Sequence, residues 1–153
     1  MEKVFVFPDS FGIKDSTADK RYACLKDKEA ATGIGEFIEI HESDSEISKI
    51  ITMRKPDWVV AVGASATACL TLHGQKKILI NPVVTENDLN NVTEYAREHT
   101  YGFFGALPEQ EKSYELFQII YPNASWFVNA PCLSIMNIKD IILEIIGNKS
   151  TND

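Results

Sequence analysis

Apolar and β-branched residues gather in six short runs along the chain, separated by stretches in which apolar residues recur at helical spacing. The runs predict strands at 3–8, 36–41, 57–63, 76–82, 100–106 and 124–130. The intervening stretches predict helices at 16–33, 43–55, 65–74, 86–99, 112–122 and 137–147. This alternation indicates βαβ units and a mainly parallel sheet between two layers of helices.

Capping residues mark the predicted ends of two helices. Ser43 and Glu46 have the spacing of a capping box in front of a stripe of isoleucines. Asn137 is the predicted N-cap of the last helix, and Gly147 the glycine that follows its C-terminus. We therefore expect the second helix to begin near residue 43 and the last helix to end at Gly147.

The length and composition of the chain suit one globular domain. It has 153 residues, of which 44% are hydrophobic and 24% charged, enough for a single core. We expect one domain over residues 1–147, a three-layer α/β/α sandwich with a mainly parallel sheet of about six strands. Residues 148–153 are expected to form a disordered tail.

The acidic balance of the chain excludes several classes of partner. The net charge is −7, and the basic residues are scattered, which argues against nucleic acid and against an anionic membrane surface. No apolar run approaches the ~18–20 residues of a membrane span. The apolar stretch near the N-terminus is too short for a signal peptide, so a cytoplasmic location is expected.

Metal and nucleotide chemistry find little support in the spacing of residues. Cys24, Cys69 and Cys132 are an odd count without Cys-x-x-Cys spacing, which predicts free, buried thiols. The three histidines are far apart in the sequence, so no metal site is expected. The glycine-rich patterns of nucleotide-binding loops are missing as well, and no cofactor is expected.

The stretch VVAVGASATACL carries the most suggestive chemistry in the chain. A predicted strand ends at Gly63, a predicted helix follows at once, and Ser65 lies between small residues. A nucleophile elbow requires small neighbours because its backbone turns sharply, and it places the serine at a helix N-terminus. Thr67 stands where that pattern has a second glycine. Ser65 is thus a candidate nucleophile, or else only a small residue at a tight corner.

Together with its neighbours, this stretch resembles the α/β-hydrolase superfamily, and it is most similar to small, lidless bacterial esterases. The resemblance also rests on ILINPVV after the serine helix and on the segment from YGFFGALPEQ to NAPCLSI. It covers roughly residues 56–146. It implies an α/β-hydrolase fold, a nucleophile at Ser65, an acid after the strand at 100–106 and a histidine after the last strand.

The chain departs from the resemblance at the acid and at the base. Pro108 stands at the expected place of the acid, with Glu109 and Glu111 beside it, and the loop after the last strand contains no histidine. His41 is the only histidine predicted at the same edge as Ser65, about 10 Å from it if two strand spacings separate them. A serine hydroxyl without a base is a weak nucleophile.

These departures predict a degenerate or weakly active esterase-like serine hydrolase. One alternative is an active carboxylesterase or thioesterase with a rearranged relay of Ser65, His41 and either Glu109 or Asp9. Another is a module without enzymatic activity that binds a small ligand or a protein, with a homodimer as one outcome.

The expected partner is a small ester or another small molecule bound at the carboxyl edge of the sheet, where ligands of such folds gather. The residues expected to line that site are Asp9, Ser10, Phe11, Ala66, Pro82 and Cys132.

Overall fold

The computed structural model describes most of the chain: residues 2–7, 35–40, 46–105, 108–128, 133 and 135–152. Its strands are β1 (Glu2–Phe7), β2 (Gly35–Glu39), β3 (Trp58–Val62), β4 (Lys76–Ile80), β5 (Thr100–Gly105) and β6 (Ala124–Phe127). They form one sheet in the order β2-β1-β3-β4-β5-β6, and every neighbouring pair is parallel. The predicted α/β architecture with six strands is confirmed, and the sheet is wholly rather than mainly parallel.

The helices lie between and after the strands. They are α1 (Ile47–Arg54), α2 (Ala64–Cys69), α3 (Glu94–His99), α4 (Pro108–Ile120) and α5 (Lys139–Asn152), with short 3₁₀ helices at Glu86–Leu89 and Ile135–Ile138. The predicted helix at 16–33 lies outside the described residues. In the part of the chain that the structure describes, no helix is long and apolar enough to cross a bilayer.

Each face of the sheet buries its own hydrophobic core. Successive strand residues point to opposite faces, so Val4 and Val6 pack on one side and Phe5 and Phe7 on the other. The Phe5 side is covered by α1 to α4, which contribute Ile47, Ile51, Ala66, Cys69, Leu70, Ala96 and Phe117. The Val4 side is covered by the last 3₁₀ helix and α5, which contribute Ile135, Ile138, Ile142, Leu143 and Ile146. Burial on both faces explains the nearly continuous apolar strands.

The strand order contains one reversal. The chain passes from β1 outward to β2, returns across β1 to β3, and then continues in one direction to β6. In open parallel sheets, ligands bind beyond the carboxyl ends of the strands, at the point where the winding direction changes. That point lies between β1 and β3, and β3 leads directly into the corner that contains Ser65.

The region predicted as one helix at 86–99 is divided in two. Thr85 and Asp88 form a capping box on the first 3₁₀ helix, and Asn91 has a left-handed backbone with φ 60°. Thr93 then caps α3, because its side chain accepts a hydrogen bond from the Ala96 backbone N–H at 3.1 Å. Two strong local caps therefore override the helical periodicity of the segment.

Two large hydrophobic side chains of α3 and α4 face solvent. Tyr95 is 42% exposed and stacks on His99 with 4.2 Å between the ring centroids. Ile119 of α4 is 66% exposed, whereas Phe117 of the same helix is fully buried. The buried face of α3 and of α4 is therefore narrower than the distribution of apolar and aromatic residues along these helices indicates.

The second predicted helix is shorter at its N-terminus. Helix α1 begins at Ile47, its N-cap residue Glu46 makes no side-chain capping bond, and Ser43 lies outside the described residues. Its C-terminus agrees with the prediction, since Lys55 adopts a left-handed conformation directly before Pro56 and donates its N–H to the Ile51 carbonyl at 2.8 Å.

Two later helices are longer than predicted. Helix α4 begins at Pro108, four residues earlier than the predicted 112, because the fixed φ of proline and its missing N–H suit the first turn of a helix. Helix α5 continues through Gly147 to Asn152, so the predicted end at Gly147 is wrong. Residues 148–152, expected in a disordered tail, belong to this helix.

Candidate functional site

The corner between β3 and α2 is carried by Gly63. Its backbone has φ 65° and ψ −127°, a conformation that is readily accessible only to glycine. The Gly63 N–H donates to the Ile80 carbonyl at 2.9 Å, and the Gly63 carbonyl accepts from the Thr67 N–H at 3.0 Å. The sharp turn that the sequence predicts is present, and its strained position is occupied by a residue without a side chain.

Ser65 lies two residues beyond this turn, inside the first turn of α2. Its side chain is 1% exposed, and the adjacent Ala66 is fully buried. In a nucleophile elbow the serine itself occupies the strained position, and its hydroxyl is exposed above the sheet. Ser65 has neither property here, because Gly63 takes the strained position and Ser65 is buried.

Thr67 connects α2 to the loop that follows β4. Its hydroxyl donates to the Gly63 carbonyl at 3.2 Å and accepts from the Val83 N–H at 2.9 Å. A threonine hydroxyl often bonds a carbonyl four residues earlier in a helix, a local signal visible in the sequence. The residue that departs from the glycine of the elbow pattern therefore has a structural role of its own.

Asn81 connects the carboxyl ends of β4 and β5. It adopts a left-handed backbone with φ 52°, donates its N–H to the Phe103 carbonyl at 2.8 Å, and accepts from the Gly105 N–H at 2.7 Å through its side-chain oxygen. Asparagine tolerates this conformation better than most residues because its short side chain can bond locally. Pro82, predicted to line a ligand site, follows it and is buried.

A groove of about 500 Å³ opens beside this edge, between the loop after β4 and helix α4. Its floor includes Val84, 4% exposed, whose N–H donates to the Ser113 hydroxyl at 3.0 Å. Ser113 is itself only 5% exposed. The groove is lined by Val83, Val84, Thr85, Glu86, Asn87, Lys112, Ser113 and Leu116. None of these residues is among the predicted catalytic or lining residues, although the capping pattern from Thr85 to Asp88 is readable in the sequence.

Several predicted site residues fall outside the described residues. These are His41 of the predicted relay, Asp9 as its alternative acid and, among the other predicted lining residues, Ser10, Phe11 and Cys132. Glu109 lies in the first turn of α4. Strand β1 separates β2 from β3, as the predicted distance between His41 and Ser65 assumed. The relay of Ser65, His41 and Glu109 therefore stays a prediction.

A second polar group lies at the opposite edge of the sheet and is buried. Lys77 of β4 is fully buried, and its Nζ donates to the Leu72 carbonyl at 2.7 Å, just after the C-terminus of α2. Burial lowers the pKa of Lys77 to about 8, an effect that nearby Cys69 opposes. Burial, with a smaller contribution from Lys77, also lowers the pKa of His73. Nothing in the lysine pair of KKILI distinguishes Lys77 from its neighbour.

Of the two histidines that the structure describes, His73 and His99, neither lies at the carboxyl edge of the sheet with Ser65. His73 follows α2 near the amino edge of the sheet, and its carbonyl accepts from the Thr93 hydroxyl at 3.4 Å. His99 ends α3 directly before β5, and its Nδ1 lies 2.9 Å from the Tyr95 carbonyl. Within the described residues, no group of three or more histidine, cysteine, aspartate or glutamate side chains could hold a metal ion.

No protein-family model, no curated protein and no solved structure matches this chain. Its class is therefore defined by its own architecture, which is an α/β domain with one all-parallel sheet of six strands. Among the described residues, the features considered for chemistry are the corner at Gly63, the groove beside α4 and the buried lysine of β4.

Proposed function

We propose that this chain is a small-molecule-binding α/β protein that resembles α/β hydrolases in plan but does not hydrolyse esters through Ser65. Its ligand would occupy the carboxyl edge of the sheet, in the groove between residues 83–87 and 112–116. The observation that carries the proposal is the corner itself, where Gly63 takes the strained position and Ser65 is 1% exposed.

The burial of Ser65 argues against covalent catalysis. A nucleophile must approach the reacting carbonyl within about 3–3.5 Å with its orbital aligned. A hydroxyl 1% exposed in the first turn of α2 does not offer that approach to an external ester. In hydrolases the serine itself holds the strained backbone conformation, which exposes its hydroxyl above the sheet. Here Gly63 holds that conformation, so the turn does not expose the hydroxyl of Ser65.

The groove beside α4 has the properties of a site for a small polar molecule. Its volume lies within the ~300–1,000 Å³ typical of ligand pockets, and it combines apolar Val84 and Leu116 with the hydroxyl of Ser113. Glu86 and Lys112, both exposed, add one charge of each sign to its lining.

The loop that forms one wall of this groove is held by side chains. Thr67 accepts from the Val83 N–H, Ser113 from the Val84 N–H, and Asp88 from the Thr85 N–H at 2.8 Å. Three successive backbone donors are thus fixed before any ligand arrives. Such preorganisation favours binding because less conformational freedom is lost when the complex forms.

Two measurements test the two halves of this proposal. Intact-mass analysis after treatment with a fluorophosphonate probe should show no adduct on the wild type, as for Ser65→Ala. A screen of small polar metabolites by NMR should shift amide signals of residues 83–87 and 112–116, and Lys112→Ala should weaken the hit. Lys49→Ala, an exposed lysine on α1, is the matched control and should bind normally.

The opposite results would contradict the proposal in separate ways. An adduct that Ser65→Ala abolishes would establish a reactive serine and restore the esterase interpretation. Ligand-induced shifts confined to other parts of the sheet would exclude the groove beside α4 as the binding site.

A further inference from the structure

Strand β6 forms one edge of the sheet. It pairs with β5 in parallel, with Gly102 opposite Ala124 and Gly105 opposite Phe127. Among the described residues, no strand lies on its other side. An edge strand presents a row of unpaired N–H and C=O groups, which is a template for pairing with another chain.

The direction of the outward backbone groups follows from one hydrogen bond. The Gly102 N–H donates to the Asn123 carbonyl at 2.9 Å, so the backbone groups of Asn123 face β5. Because backbone groups alternate in direction along a strand, those of Ala124 and Trp126 face away from the sheet. Two residues of β6 therefore offer outward donors and acceptors along this edge.

The side chains of this edge do not protect it. The segment from Ala124 to Val128 contains no charged residue and no proline, and Val128 is 71% exposed. The opposite edge strand, β2, carries the carboxylates of Glu36 and Glu39 within five residues. Charged residues are one of the devices by which natural proteins prevent edge-to-edge pairing. In this chain such charged residues are present on β2 and missing from β6.

We propose that β6 pairs antiparallel with β6 of a second copy of this chain, which joins two six-stranded sheets into one across a two-fold axis. A second copy fits because a two-fold axis brings the same edge against itself, so that outward N–H groups meet outward carbonyls. Self-association of an acidic chain with net charge −7 requires a contact strip without carboxylates, and this edge is one. The inference does not depend on the ligand groove or on Ser65.

Sedimentation equilibrium of the full chain tests this pairing. The wild type should have twice the 17.1 kDa mass of the chain, with dissociation on dilution. Val128→Lys places a charge directly after β6, at an exposed position beside the edge, and should reduce the mass to that of the monomer at concentrations where the wild type is a dimer. Val128→Thr keeps the shape without a charge and should remain dimeric. Glu36→Lys, on β2, should not change the mass.

Amide hydrogen exchange gives a readout that does not depend on any variant. The N–H groups of Ala124 and Trp126 should exchange slowly in the concentrated wild type and rapidly after dilution, whereas Ser125 and Phe127 should be protected in both states. A wild type that stays monomeric up to ~1 mM, which corresponds to negligible affinity, would overturn the proposal. So would a dimer in which Val128→Lys has unchanged stability or the outward amides stay unprotected.

Discussion

The Thr67 hydroxyl accepts a hydrogen bond from the Val83 backbone N–H at 2.9 Å, and this bond joins the first turn of α2 to the loop after β4. The same hydroxyl donates to the Gly63 carbonyl at 3.2 Å, so one side chain connects the strained corner to the wall of the candidate ligand groove. The corner at Gly63 and the candidate ligand groove are therefore connected through the side chain of Thr67.

Thr67→Val should loosen this connection. The substitution keeps the shape of the side chain but removes both hydrogen bonds, which should cost about 1–2 kcal/mol of the free energy of unfolding. Urea denaturation measures the loss. Thr71→Val is the control, because the Thr71 hydroxyl is exposed and makes only one long contact, 3.5 Å to the Ala68 carbonyl. Equal losses in the two variants would show that the bond to Val83 contributes nothing.

Gly63→Ala should destabilise the fold through backbone strain. The φ of 65° and ψ of −127° at Gly63 cost an L-residue roughly 1–3 kcal/mol, and the thermal midpoint should fall accordingly. Gly74→Ala is the matched control, since an added Cβ there meets nothing within 4 Å and Gly74 has no positive φ. The control should be neutral or slightly stabilising because alanine restricts the unfolded chain. A neutral Gly63→Ala would contradict the geometry of the corner.

Gly102→Ala should destabilise the fold by overpacking. A Cβ at Gly102 would lie 2.6 Å from two atoms of the Phe117 ring, so the expected cost is about 1–3 kcal/mol. Phe117→Leu shortens that ring and should make the glycine substitution less costly in the double variant than in the wild type. A double-mutant cycle by urea denaturation measures this coupling. Strict additivity would mean that the two side chains do not meet.

The stability of the protein should rise with pH because of Lys77. Its pKa is about 8 when folded against an ordinary value of 10.5, so between these values the unfolded chain binds more protons. Below pH 8 the buried amine is charged in the folded protein, which lowers the free energy of unfolding by on the order of 3 kcal/mol. This destabilisation disappears as the pH rises from 8 to 10.5.

Comparison with Lys77→Met isolates this effect from other titrations. The free energy of unfolding of the wild type minus that of Lys77→Met should increase by about 3 kcal/mol from pH 7 to pH 10.5. The hydrogen bond to Leu72 adds a constant offset rather than a slope. A difference that stays flat from pH 7 to pH 10.5 for Lys77→Met would contradict the prediction.

The number of strands among the described residues and their order along the chain were readable from the sequence, whereas their limits were not, since β6 ends at Phe127 rather than at the predicted residue 130. Each strand is a short apolar run between polar or turn-forming residues, and six such runs alternate with helical segments. Helix boundaries were predicted less well at 86–99, where the caps at Thr85 and Thr93 outweigh the apolar periodicity. Capping bonds depend on a few side chains, so a periodic pattern alone does not detect them.

The corner at Gly63 was predictable, but the burial of Ser65 was not. Small residues between a strand and a helix indicate a sharp turn wherever they occur. Which residue of GASAT takes the strained conformation depends on how α2 packs against β3 and β4, and these contacts place Gly63 at the turn and Ser65 inside. The groove beside α4 likewise forms only when two segments distant in sequence meet.

The paired lysines of β4 show the same division. The sequence by itself determined that KKILI is a strand and that its alternate residues face opposite sides of the sheet. Tertiary structure alone decided that Lys76 lies over the Trp58 ring, 5.7 Å from its centroid, while Lys77 is buried against the end of α2. The periodicity of a strand is a local property of its backbone, whereas the burial of a side chain depends on which distant element covers it.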